Sequence, residues 1–327
     1  ICQFSQVNTS VNDNNIEPIN NASAYISGIR SVTKTADYNK TIGKSCEGID
    51  DTATVTSTLR TLKKVINLTE FIGIFTENSY IPLQYAKVKI NFVLNNLAQI
   101  ANFDTTGAPA YTLTMKITGN IISFDQDIDD IYKQLWEADK LALNLSGKNV
   151  YSFTIPSGTS HITHNITTPY KMGTAIYSGM VLSSSQNSDT SDAYSFIPGA
   201  TAYLIDTVCN VLGQNHPASP IETHASGAQA NQNLLVALGL KGGLLSISNY
   251  STEGAYNWLT STSKRSLIGI SLDPNPYDSI ISGIDCRQMS LTKNFTSGIA
   301  VAMTDFVCIT YLGKVKLGRQ INTQLIT

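Results

Sequence analysis

The sequence predicts an all-β protein made of antiparallel sandwiches, with a few short helices set in long connections. Three observations predict it. Several segments alternate apolar and polar residues with the period of a strand. The order of elements reads strands, helix, strands, helix, strands, without the regular β-α alternation of a parallel sheet. Charged residues are only 14% of the chain, while Ser, Thr and Asn recur from end to end, a balance that suits short strands joined by polar loops. At 327 residues with 42% hydrophobic content, the chain is large enough to bury a full core as one large or two modest domains.

In chain order, residues 1–38 carry scattered single apolar residues in an Asn/Ser/Thr-rich background and read as an extended arm. Residues 55–68 are rich in Thr and Val and strand-like. Residues 80–94 (YIPLQYAKVKINFVL) place Ala86, Val88, Ile90 and Phe92 on one strand face, and residues 111–122 place Leu113, Met115 and Ile117 on another. A helix begins near Asp125, where Ile128, Ile131, Leu135 and Ala138 form an apolar stripe. Asp125, Asp127, Asp129 and Asp130 complement the positive end of its dipole.

A second strand series starts at Val150, where Tyr151, Phe153 and Ile155 alternate; a turn over 156–160 and a strand over 174–182 follow. Residues 229–240 read as a short helix running toward Gly242 and Gly243, with Gly239 unfavourable in its last turn. Residues 266–272 read as a strand. Residues 299–312 read as either a strand pair or one buried strand.

The formal net charge of −2 gives no global attraction to nucleic acid or to anionic lipid. Arg30 is the one cation in the first thirty residues, so a basic, phosphate-neutralising arm is missing and no direct nucleic-acid binding is expected. Cys2, Cys46, Cys209, Cys286 and Cys308 are odd in number and contain no C-x-x-C pair; they read as free, mostly buried thiols. The apolar runs are shorter than the ~20 residues that span a bilayer. No leader is read, and Ile1 in place of Met fits a processed or partial chain.

The chemical motifs fall short of their templates. Gly43-Lys44-Ser45 resembles the end of a P-loop, but the first glycine would fall at Tyr38, whose side chain obstructs the anion cradle. Asp125, Asp127 and Asp129 imitate an EF-hand start, yet Asp130 stands at the glycine position and Trp136 where the bidentate glutamate belongs. His161 and His164 are three apart, a spacing that sends strand side chains to opposite faces, so a shared metal would require a bend, and the four histidines, with His216 and His224, read as exposed loop residues. Ser160-His161 lacks an orienting carboxylate, and no G-x-S-x-G elbow occurs. Asp273, Asp285 and Asp305 are the acids a β-sandwich hydrolase could use, without any sign that two converge. Sequons at Asn8, Asn21, Asn39, Asn67, Asn144, Asn165, Asn249 and Asn294 stand close to the around six that chance places in such a composition. No catalytic, cofactor-binding or metal-ligating residue is therefore assigned, and the chain is read as a non-enzyme.

Several stretches resemble the major capsid proteins of double jelly-roll DNA viruses, the group that includes polinton-like and adintovirus-like elements. They are residues 71–94 (FIGIFTENSYIPLQYAKVKINFVL), the strand and acidic helix of 111–136, residues 152–182, the P-x-x-P-I stretch at 217–221, and residues 267–292 and 304–318. The resemblance implies a double jelly roll, two antiparallel eight-stranded β-sandwiches side by side, with an extended N-terminal arm over 1–40, a first jelly roll over 41–147 and a second over 148–327. It further implies a homotrimer forming a pseudo-hexagonal capsomer and an icosahedral virion shell assembled inside the host cell. Neighbouring capsomers, minor capsid and penton proteins would be its partners, with an internal membrane met only through other proteins. The loop over 183–193 would face outward. Two alternatives share the composition: a single jelly-roll viral coat protein with a projecting domain, which the absent basic arm disfavours, and a secreted β-sandwich adhesin or receptor-binding glycoprotein, which the odd cysteines disfavour.

Overall fold

The computed structural model describes residues 4–25, 65, 67–70, 72–95, 114–187, 204–223, 228–239, 267–273 and 283–326. The P-loop-like string at 43–45, the strand-like segment over 55–64, Cys2, Cys46, His224, Asn39, Asn249 and the loop over 188–193 lie outside them. The described residues form three antiparallel sheets of three, five and five strands, joined by one continuous hydrophobic core.

The first sheet holds β1 (Phe4–Val11), β2 (Asn14–Asn20) and β3 (Val88–Leu94) in the order β2-β1-β3. Residues 4–20 are thus a hairpin, which corrects, for this stretch, the reading of an extended arm over 1–40. Asn12 and Asp13 both take positive φ, 48° and 65°, as a two-residue turn between twisted strands requires. Asn12 then fastens the turn, accepting from the Lys87 N–H at 2.9 Å and donating to the Tyr85 carbonyl at 2.9 Å. Val7, Val11, Ile16 and Ile19 are fully buried together with Thr9 and Glu17, while Asn8, Ser10 and Asn20 lie on the strands' outer face. In β3, Val88, Ile90 and Phe92 are the better-buried set, as their alternation predicts.

The second sheet is organised by β12 (Met303–Gly318). It pairs along its length with β4 (Leu141–Ile155) on one side. On the other it pairs with β6 (Gly173–Leu182) over 303–311, then with β13 (Asn322–Ile326) over 314–318. This explains the composition of β12. Its first half lies between two strands and is buried on both faces, Thr304 and Asp305 included. Beyond Tyr311 it alternates, with Val315 and Leu317 buried and Lys314 and Lys316 exposed. It is one buried strand and not a pair. β10 (Ile268–Ser271) extends the sheet beyond β6. The boundary expected at 147/148 falls inside β4, which continues through it without a loop, each half bonded to β12.

The third sheet has the order β5-β11-β7-β8, with β5 (His161–Thr167), β11 (Gln288–Phe295), β7 (Leu204–Val211) and β8 (Gln214–Asn215); β9 (Ile221–Glu222) pairs with β7 beside β8.

Among the described residues, three helices with both ends described sit in the connections. The short α1 (Gly73–Glu77) packs on β4 and α3 (Ala228–Ala237) on β10. The latter ends before the expected glycine pair because Gly239, at φ +67°, caps it in the left-handed conformation. The amphipathic α2 (Gln126–Glu137) starts at the predicted place. Residues 114–124, whose first part reads as a strand from sequence, are extended but unpaired among the described residues.

Candidate functional site

The densest chemistry lies between the second and third sheets. His164 on β5 and Lys293 on β11 reach from one sheet, Ser178 on β6 and Asp305 on β12 from the other. Asp305 Oδ2 stands 2.7 Å from Lys293 Nζ and 3.2 Å from His164 Nε2. Ser178 Oγ donates to Asp305 Oδ1 at 2.8 Å and accepts from Lys293 Nζ at 2.6 Å. Phe153 stacks on the His164 ring at 4.4 Å. Burial alone would raise the Asp305 carboxyl, but the Lys293 ammonium and His164 beside it hold it below the ordinary carboxylate range. Desolvation lowers Lys293, and the Asp305 charge opposes that shift.

Serine, lysine, aspartate and histidine in contact are parts from which hydrolytic sites are built, but here no substrate can reach them. The Lys293 and Asp305 side chains are 0% exposed and that of His164 is 3% exposed. The cluster is a fastener that joins the two sheets across the sandwich core.

A second buried charge holds the N-terminal hairpin. Glu17 on β2 is fully buried and accepts the Gly73 N–H through Oε2 at 2.8 Å, at the start of α1. Desolvation pushes its carboxyl up to about 7, although the Lys148 ammonium on β4 opposes the shift. Lys148 is itself buried, lies 5.5 Å from the Tyr25 ring centroid and is lowered by desolvation. Gly73 has no room for a side chain: a Cβ there would overlap the Ser146 carbonyl of β4. Gly73→Ala is expected to destabilise the protein by about 1–3 kcal/mol, the usual penalty for overpacking against backbone, visible as a lowered thermal midpoint.

The third feature is an exposed apolar face. The stripe of Ile128, Ile131 and Leu135 on α2, which by its pattern belongs against a core, faces solvent at 40%, 56% and 37% exposure. The helix is anchored instead by Tyr132 and Trp136, which meet Phe124 at 6.2 Å and Tyr85 at 5.5 Å between ring centroids. Ile117, Ile121 and Ile122 on the preceding extended segment are also exposed, at 62%, 88% and 52%.

The residues singled out from sequence are scattered. His161 is exposed, with Nδ1 2.6 Å from Asn294 Oδ1, while His164 is buried, so their spacing does send them to opposite faces. His216 is half-buried at the end of β8. Asp125, Asp127, Asp129 and Asp130 lie exposed at the start of α2, and Trp136 stacks on Tyr85. Among the described residues no three His, Cys, Asp or Glu side chains are grouped to hold a metal. Asp285 is paired at the surface with Arg287 at 2.5 Å, far in character from the buried Asp305, and the Asp273 N–H meets Ser271 Oγ at 3.3 Å. Cys209, Cys286 and Cys308 are free and buried, with burial pushing the thiols of Cys209 and Cys308 up to about 12. Of the sequon asparagines, Asn21 donates to the Val150 carbonyl at 3.4 Å and Asn294 to Asp206 Oδ1 at 2.7 Å, whereas Asn67, Asn144 and Asn165 are exposed.

Lys293, Ser178, Glu17 and Lys148 carry no motif and are absent from the sequence reading. A signal for the first two exists. Lys293 shares strand parity with Met289, Leu291 and Phe295, and Ser178 with Ile176 and Met180, so each is a polar residue on an inward face.

No protein-family model and no curated protein matches the sequence. Among solved structures, the chain is similar to PBCV-1 VP54, fitted into a reconstruction of the virophage Sputnik, at 12% identity and a TM-score of 0.52 over 98% of this chain and 83% of that one. It is similar to the same virus's protein in a quasi-atomic model of the PBCV-1 capsid, again at 12% identity, with a TM-score of 0.53 over 98% and 83%. The Faustovirus major capsid protein matches at 10% identity and a TM-score of 0.50 over 97% of this chain and 72% of that one. The fold is that of the double jelly-roll proteins.

Proposed function

We propose that this chain is a major capsid protein, a non-enzymatic building block of a viral shell located in the virion. The observation that carries the reading is the likeness to PBCV-1 and Faustovirus capsid proteins over 97–98% of the chain, in place of a match confined to one sandwich. That extent also favours the double over the single jelly-roll alternative. In this reading three copies form a pseudo-hexagonal capsomer, capsomers tile an icosahedral shell, and minor capsid and penton proteins fill its joints. The two-unit division, with a first jelly roll ending within β4 and a second continuing from it, belongs to the same proposal, as does affiliation with the polinton-like and adintovirus-like group.

The buried fasteners support the reading. A shell protein gains nothing from an accessible Ser/Lys/Asp/His cluster but needs a sandwich that keeps its shape when neighbours load it. The expected result in solution is a stable trimer of three times 35.4 kDa, measured by sedimentation or light scattering. A monomer that persists at high protein concentration overturns the proposal.

A further inference from the structure

We infer that the outward stripe of α2 and the extended segment before it form a contact surface for a second copy of this chain, which covers them by strand addition and apolar packing. The inference rests on the capsid reading above and gives its self-association a place.

Four observations carry it. First, Ile128, Ile131 and Leu135 have helix-stripe spacing yet face solvent, while Tyr132 and Trp136 hold the helix to its own chain. The stripe is therefore not a loosened core contact, since the inner face of the helix is already occupied. Second, residues 114–124 are extended, carry Ile117, Ile121 and Ile122 exposed, and make no backbone hydrogen bond among the described residues. An extended backbone whose N–H and C=O groups are unbonded among the described residues is half of a β-ladder.

Third, the chain carries a complement to that half. β3 is the last strand of its sheet, bonded only to β1 among the described residues, with Val93 and Leu94 exposed at 45% and 40%. A segment of one copy that adds to an edge of the next makes a head-to-tail contact, the kind that closes into a ring. Fourth, Ile117, Ile121, Ile122, Ile128, Ile131 and Leu135 of these two adjoining segments all stand 37–88% exposed, a concentration of large apolar side chains that marks an interaction surface.

The test uses the full chain and the double variant Ile131→Lys with Leu135→Lys, which puts two charges on the stripe and leaves the anchors Tyr132 and Trp136 intact. Mass in solution is followed against concentration, and deuterium exchange is read at 88–94 and 114–124. The wild type is expected to associate and to slow exchange in both segments as it does so. The variant, with an unchanged circular dichroism spectrum, is expected to dissociate at concentrations roughly 100-fold higher, the loss expected when two central contacts of an interface are removed.

If the wild type associates and the variant associates equally well, with no protection of either segment, this surface is not the interface; the capsid reading then stands and the inference falls. Protection of 114–124 in the dilute monomer would show that the chain's own residues cover the face, and would overturn the inference in the same way. If the wild type never associates, the capsid reading itself fails. Should the variant misfold, the wild-type exchange pattern alone decides between these results.

Discussion

Asp305→Ala is expected to destabilise the protein by about 3–5 kcal/mol, because it leaves the Lys293 ammonium buried without its counter-charge. Asp305 is the one anion in the cluster, and it serves Lys293 at 2.7 Å, His164 at 3.2 Å and Ser178 at 2.8 Å together. Removing it strands three polar groups, two of them cations or potential cations, between sheets with no exposed surface. The paired replacement Lys293→Met with Asp305→Leu is expected to recover most of the loss, since exchanging a buried ion pair for apolar residues of similar volume is often neutral or stabilising. Urea unfolding of the single and double variants separates the two effects. An Asp305→Ala midpoint equal to wild type would mean that water reaches the cluster, contrary to its burial, and that the sheets are not joined there.

The second large effect is a dependence on pH carried by Glu17. Its carboxyl is raised from 4.5 to about 7 by burial, so the folded state binds this proton more tightly than the unfolded chain does. The stabilisation is therefore complete below pH 4.5, declines as pH rises, and is lost above about pH 7. The loss across that window is roughly 3 kcal/mol. Lys148 works in a separate window with the opposite slope: its lowered ammonium recovers stability as the solution becomes alkaline. Asp305 and Asp285, both held low, act only in acid, where stability falls as they protonate.

Glu17→Gln keeps an acceptor for the Gly73 N–H and removes the charge. It is expected to flatten the urea midpoint between pH 4.5 and 7 and to raise it at pH 8. An unchanged slope in the variant would assign the effect to another group. The consequence is local, because Glu17 joins the N-terminal hairpin to α1 and lies near Lys148 of β4; the hairpin is held most firmly in mild acid.

Where sequence and structure differ, the causes are specific. Residues 4–20 looked like an arm because their apolar residues, Phe4, Val7, Val11, Ile16 and Ile19, stand three to five apart, and Ser, Thr and Asn were counted as loop formers. In the hairpin they form the polar face of strands whose other face is buried, and the Asn12-Asp13 turn was the available clue. The stripe on α2 was legible as a stripe, but periodicity does not say whether the apolar side meets its own core or another surface.

By itself the sequence determined the β class, the places of α2, β6 and β10, the burial of the three described cysteines, the opposed directions of His161 and His164, and a resemblance that named the fold. These follow from local periodicity and propensity, which each segment carries wherever it sits. Only the tertiary structure decided that Lys293, Asp305, His164 and Ser178 meet, that Glu17 lies buried near Lys148, and that an apolar helix face points to solvent. Such facts depend on which strands become neighbours across more than a hundred residues, and strand pairing of that range is chosen by the packing of the whole core.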